Sequence, residues 1–301
     1  MKKSPVRIGP VELPRNLVYA FLGLLLCYCL PLFDLVRFSI GSELFSHIVL
    51  IPVVSAYLSW SCRSALLIRS VPNRMLASCL IIGGGGILVG YWALSLLGVP
   101  FARQDALVMT SSSFVLLFVG ICALYLGRKT LNAFAFPLLF LIFLVPIPTF
   151  LIGLIESFLQ HGSADVAGVL FNIFGTPVFR QDLVFQLPGI LIQVAPECSG
   201  IHSSLALFIT SVLAGYFFLR SPIYRTILAL AVIPLALLRN GFRVFTIGEL
   251  CVHISPDMID SYIHHHGGPI FFALSLIPFF ALLFALYRLE RGRQPNTVSK
   301  V

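Results

Sequence analysis

Charge is what this chain has least of. Asp, Glu, Lys and Arg make up 11% of its 301 residues while hydrophobic residues make up 58%, and soluble domains carry about 25% charged residues. A soluble globular class is therefore excluded. Paired cysteines are also missing. Of the seven, only Cys27 and Cys29 stand close together, inside an apolar run, and no CxxC occurs. Neither a disulfide framework nor a metal site is indicated, and no cofactor motif stands out. The first apolar run follows Lys2, Lys3, Arg7 and Arg15, yet Cys27-Tyr28-Cys29-Leu30-Pro31 offers no small-x-small cleavage site. It reads as a retained anchor rather than a signal peptide.

What the chain does have is long apolar runs. A helix needs roughly 20 apolar residues to cross a hydrocarbon core of about 30 Å. Eight runs qualify, at about 17–33, 44–60, 76–97, 106–126, 131–153, 200–219, 223–239 and 268–287. The expected fold is an all-α polytopic membrane protein of about eight transmembrane helices, forming a single integral membrane domain over 1–301.

Short loops rich in Lys and Arg stay in the cytoplasm. With the N-terminus inside, eight spans put fifteen of the 20 basic residues on the cytoplasmic side, leaving Arg37, Arg103, Arg180, Arg239 and Arg243 outside. Of the acidic residues only Glu12 and Glu290 fall inside. The net charge of +8 is thus a topology signal, and the expected partner is the lipid bilayer, not nucleic acid. Both termini are expected in the cytoplasm, with a tail over 288–301.

Two outer segments are too long for simple turns, at about 154–199 and 240–266. The first opens with apolar residues spaced among Glu156, Gln160, His161 and Asp165, which suits an interfacial helix. Two β-rich runs then flank Pro188-Gly189, the signature of a small hairpin. That insert serves either as a cap over the bundle or in substrate binding.

Ionisable residues near membrane depth are costly and therefore point to function. Three clusters fall at the outer ends of the last three spans: Pro196-Glu197-Cys198-Ser199-Gly200-Ile201-His202, Arg239-Asn240-Gly241-Phe242-Arg243 and His264-His265-His266-Gly267-Gly268. Cysteine hydrolases need a thiolate, a proton-exchanging His and an oxyanion donor. Cys198 stands just ahead of a helix start, where the N-terminal field lowers a thiol pKa, although Glu197 would oppose this if it faced the sulfur. The alternative is an apolar filler, which suits Cys27, Cys29, Cys62, Cys79 and Cys122. Arg239 and Arg243, four apart, share one helix face. A lone arginine there would snorkel, and one of this pair is expected to meet a carboxylate such as Glu249 or Asp257. His202, His264, His265 and His266 all compete as base.

With these residues in view, the chain resembles the exosortase/archaeosortase family. The resemblance runs from Phe45-Ser46-His47-Ile48-Val49-Leu50-Ile51-Pro52, through Phe136-Pro137 and Val145-Pro146-Ile147-Pro148, to the ordered trio Cys-Ser-Gly, Asn-x-x-Arg and His-x-x-x-Gly. It implies a membrane-embedded thiol protease or transpeptidase of the inner membrane. Its substrates would be exported proteins with a C-terminal sorting tail of the Pro-Glu-Pro type, followed by one transmembrane helix and a basic end. By position, Cys198 would be the nucleophile, Arg243 after Asn240 the oxyanion donor, and His264 the acid/base. The family often has arginine where His202 stands. No cofactor or metal is implied. The rival classes are a transporter and a non-catalytic assembly factor for surface-polysaccharide export, neither of which needs a thiol.

Reporter fusions test the orientation. Fusions after Arg128 and Arg225 should report cytoplasm, and fusions near Asp165 and Asp257 the outside; a cytoplasmic signal at Asp165 would separate the three clusters.

Overall fold

Proline and glycine positions explain most of where this chain bends and where its helices touch. The computed structural model describes residues 15–64, 71–195, 199–260 and 267–292. It divides into two compact units, Met1–Phe150 and Leu151–Val301.

The first unit contains α1 (Arg15–Cys27), α2 (Cys29–Ile40), a 3-10 turn at Ser46–Val49, α3 (Leu50–Ser61), α4 (Arg74–Leu96), α5 (Arg103–Tyr125), α6 (Arg128–Ala133), α7 (Ala135–Phe140) and a further 3-10 turn at Leu141–Leu144. Helices α1 and α2 meet at a 64° bend around Tyr28. Pro31 is the cause: it has no N–H to give the Cys27 carbonyl, and its ring crowds that oxygen. Helices α4 and α5 approach closely because Gly84 and Gly120 lack a side chain. A Cβ on Gly120 would stand 2.8 Å from Ile81 Cγ1. Ser113 Oγ donates to the Gly84 carbonyl at 2.7 Å and also bonds Tyr28 Oη at 2.6 Å, tying the first bend to this pair.

After Leu144 the helix breaks, because Pro146 and Pro148 each remove a donor and push the residue before them out of helical geometry. Backbone groups freed in this way need partners. Gln104 Nε2 donates to the Ile147 carbonyl at 2.6 Å, and the Asp105 carboxylate accepts from the Thr149 N–H at 2.9 Å.

The second unit carries most of α8 (Thr149–Phe174), then β1 (Phe179–Gln181), β2 (Val184–Leu187), β3 (Ile190–Gln193), α9 (Ile201–Phe218), α10 (Pro222–Leu230), α11 (Val232–His253), a 3-10 turn at Pro256–Asp260 and α12 (Gly268–Gly292). The strands form one antiparallel sheet in the order β1-β2-β3. The anticipated hairpin is its β2–β3 half: Leu187 pairs with Ile190 across Pro188-Gly189, and Gly189 has φ +84°. A third strand, β1, extends the hairpin. Phe185, Leu187, Ile192 and Val194 alternate onto one face and pack with Ala164, Ala167 and Phe171 of α8 and Val244, Phe245 and Ile247 of α11. A separate cluster joins α9, α10, α11 and α12 around Leu207, Leu228 and Phe279. Glu290, near the end of α12, accepts the backbone N–H of Arg220 at 2.9 Å, so the far ends of α9 and α12 lie together.

Among the described residues five helices are long and apolar enough to cross a membrane, or up to seven if two interrupted pairs each count as one span. The expected count of eight is not confirmed. The five match the runs near 76–97, 106–126, 200–219, 223–239 and 268–287. The run at 17–33 is broken by Pro31, and the run at 131–153 by Pro146 and Pro148. The run at 44–60 becomes the shorter helix Ser46–Ser61. Pro234 interrupts its own run near Ala231, yet Pro222–His253 still reads as one candidate span of 32 residues.

Helices α8 and α11 cross where glycine permits. A Cβ on Gly241 would stand 2.5 Å from Val166 Cγ1 and 2.9 Å from the Ser163 carbonyl oxygen. Overpacking of this kind costs about 1–3 kcal/mol, so Gly241→Ala should lower the Tm in detergent by several degrees. Gly153→Ala, with nothing within 4 Å of the new methyl, should leave it unchanged. Equal Tm values for the two variants would contradict this crossing.

Candidate active site

Gly200 is the head of α9, and its backbone is left-handed at φ +72°. Glycine adopts this conformation without the penalty a Cβ brings. A Cβ here would also stand 2.8 Å from Arg239 Nη2 and 3.2 Å from Asn240 Oδ1. The glycine is required twice over, by its dihedral and by the side chains of α11 that press against it.

The Gly200 carbonyl is where α9 and α11 are joined. Arg239 Nη2 donates to it at 3.0 Å and also to Ser204 Oγ at 3.1 Å. Ser204 contributes its own N–H at 3.0 Å and its hydroxyl at 2.7 Å to the same oxygen. Arg239 is only 8% exposed. It does not snorkel; it holds the head of the neighbouring helix. One turn on, Arg243 is half-buried on the same face of α11. Asn240, 2% exposed, donates through Nδ2 to Ser163 Oγ of α8 at 3.1 Å, so the Asn-x-x-Arg stretch is fixed from both sides.

The start of α12 reaches the same stretch. Phe271, in its first turn, packs edge-on against Phe242 with ring centroids 6.2 Å apart. Phe242 immediately precedes Arg243 in sequence. The first turns of α9 and α12 therefore both meet the 239–243 segment of α11. Upstream, Val194 is held by its N–H to the Leu183 carbonyl at 2.9 Å and by Gln160 Nε2, which donates to its carbonyl at 3.0 Å.

Of the residues singled out in sequence, Glu197, Cys198, His264, His265 and His266 lie outside the described residues. The structure brings Arg239 and Asn240 against Gly200. His202 is in the first turn of α9 and exposed. The acidic residues expected to meet an arginine make other contacts: Glu249 accepts from Thr176 Oγ1 and pairs with His253 Nε2 at 3.0 Å, and Asp257 accepts from Ser255 Oγ at 3.1 Å. Among the described residues, Arg239 bonds a carbonyl and a hydroxyl instead.

Three contributors were not singled out from sequence. Ser204 had a signal, since it lies four residues beyond Gly200 and therefore faces the same carbonyl. Ser163 and Gln160 had none, because which face of α8 meets α11 and β3 is set by tertiary packing.

Five to seven apolar helical spans among the described residues define the class: a multi-pass helical membrane protein. Residues 39–281 match the family model described as transmembrane exosortase. The chain belongs to that family. No curated protein and no solved structure matches it.

The glycine argument makes a direct prediction. Gly200→Ala must accept a strained φ, at about 1–2 kcal/mol, and displace the Arg239 guanidinium. It should lower both Tm and activity. Ser203→Ala, which removes only one of several donors to the Gly200 carbonyl, should be nearly neutral. A Gly200→Ala protein with unaltered Tm would mean that the Arg239–Gly200 contact is dispensable.

Proposed function

We propose that this exosortase is a cysteine-type protease or transpeptidase that cleaves the C-terminal sorting tail of exported proteins at the outer face of the inner membrane. Cys198 is the nucleophile, Arg243 the oxyanion donor and His264 the acid/base. The observation that carries this reading is the joining of Gly200 to Arg239, with Arg243 one turn further on and the first turn of α12 against Phe242.

Chain connectivity supports the assignment. Consecutive Cα atoms are about 3.8 Å apart, so two residues carry Cys198 at most about 7.6 Å from Gly200, and three carry His264 at most about 11 Å from Gly267. A helix N-terminus and two guanidinium groups make the surroundings electropositive, which favours a thiolate over a thiol and an oxyanion over a carbonyl. A buried guanidinium loses water as a competitor, so its field at the reacting atoms is stronger than at an open surface.

The chemistry follows. Cys198 Sγ attacks a backbone carbonyl of the sorting motif, and the carbonyl electrons move onto oxygen, where Arg243 donates to them. The C–N bond then breaks as His264 delivers a proton to the leaving nitrogen, releasing the tail helix into the bilayer. The thioester left on Cys198 passes to water or to an amine, and His264 takes the incoming nucleophile's proton. His202 in the first turn of α9 and the neighbouring His265 and His266 are the competing bases.

Co-expression with a tail-bearing substrate tests the roles. Cys198→Ser should abolish processing with expression intact, because a serine hydroxyl without a tuned base is a far weaker nucleophile. Retained processing would favour a non-thiol function such as transport. Arg243→Lys keeps the charge but loses the planar fork of donors, and activity should fall by about 10²-fold or more with Tm unchanged. Arg239→Lys should lower Tm instead. Of the single alanine variants at His202, His264, His265 and His266, only His264→Ala should be inactive while well expressed; an inactive His202→Ala beside an active His264→Ala would move the base.

A further inference from the structure

The first unit holds a cavity of about 940 Å³, walled by α1, α2, α3, α5 and α7 and lined almost wholly by apolar side chains such as Leu17, Phe21, Phe118 and Leu138. Among the described residues its one charged wall residue is Arg63, just beyond the end of α3. The Arg63 guanidinium lies 4.6 Å from the Trp60 ring centroid and donates to the Trp60 carbonyl at 3.1 Å, so an exposed cation is held at the mouth.

More positive charge gathers at the same end. Ser55 Oγ donates to the Pro137 carbonyl at 2.8 Å, pinning α3 against α7 at mid-height. At the other extreme, the 3-10 turns Ser46–Val49 and Leu141–Leu144 are in contact. The two segments are therefore antiparallel, and Arg63 lies at the same end as α6, which opens with Arg128-Lys129. Pro72 bridges to Gly127, and the Arg128 N–H donates to the Val71 carbonyl at 3.1 Å, which brings the start of α4 at Arg74 to this end as well.

Acidic residues are scarce in the adjoining sequence, Glu12 ahead of α1 being the one that the expected topology puts at this end of the first unit. No Asp or Glu occurs between Glu43 and Asp105 or between Asp105 and Glu156. Glu43 and Asp105 precede α3 and α5, whose far ends carry Arg63 and lead into Arg128, and Asp34 lies within α2.

We propose that this cavity binds one anionic phospholipid of the bilayer, its phosphate at Arg63 and Arg128 and its acyl chains along the apolar walls. Basic pockets between membrane helices suit anionic headgroups. The other apolar occupant a membrane offers is a transmembrane helix. A helix with a basic end would be repelled by this mouth, whereas an anionic headgroup is drawn to it.

The test uses the full-length protein, delipidated in detergent and then given phosphatidylglycerol or phosphatidylcholine at equal concentration, with bound lipid counted by native mass spectrometry. Wild type should retain one phosphatidylglycerol per chain, at least tenfold over phosphatidylcholine. The double variant Arg63→Gln/Arg128→Gln should lose that preference while keeping the lipid-free Tm of wild type. Ala56→Trp fills the cavity and leaves the charges in place, so it separates a true pocket from surface attraction; it too should lose the retained lipid. Equal retention of both lipids by wild type would overturn the proposal. So would phosphatidylglycerol retention by Ala56→Trp, or a photo-crosslinker at Ser59 that captures a polypeptide in cells instead of lipid.

Discussion

Arg239 and Gly200 approach each other more closely than any side chain on the glycine would allow, and much of the second unit is arranged around that contact. A guanidinium that is 8% exposed must find acceptors, because an unpaired buried charge costs several kcal/mol. The acceptors it finds are a carbonyl at the head of α9 and a hydroxyl one turn later. That carbonyl points at α11 because Gly200 turns the chain with a positive φ. Asn240, next in sequence, is held by α8, and Phe242 receives the first turn of α12. Three helices are thus registered on five residues of α11.

The same need to satisfy polar groups where water is scarce explains the irregular parts of the first unit. Lipid offers no hydrogen bonds, so a broken helix persists only where protein groups stand in. Gln104 and Asp105, at the start of α5, do this on either side of Pro148. Ser55 does it for the Pro137 carbonyl. These polar side chains are few, which is how a chain with 11% charge can carry several interruptions.

Much of this was legible in sequence, for definite reasons. Apolar runs reveal helices because the length needed to cross a bilayer is fixed; four of the runs are single long helices and a fifth is an interrupted one. Pro188-Gly189 reveals a hairpin because only a few residues fit such a corner. Cys-Ser-Gly and Asn-x-x-Arg could be picked out because charged and reactive residues are rare among so many apolar ones. Other features were not legible. Pro31 and Pro146 could each bend or end a helix, and the sequence does not say which. Strand β1 has three residues, too few for an alternation to show. Helix α11 continues to His253 because Gly241 and Gly248 fit against α8 and the sheet, whereas apolar content alone stops near Arg239. Ser163 became a partner of Asn240 only through the crossing of α8 and α11.

The central claim is that catalysis passes through a thioester on Cys198 at this junction. Hydroxylamine intercepts thioesters and leaves a hydroxamate on the released acyl group, so it reads the intermediate directly. With purified enzyme and a tail-bearing substrate, the account predicts that hydroxylamine converts the new C-terminus of the substrate to a hydroxamate, detected by intact mass, and that Cys198→Ala forms none. Hydroxamate formation by Cys198→Ala, or tail cleavage by wild type that never yields hydroxamate, would contradict it.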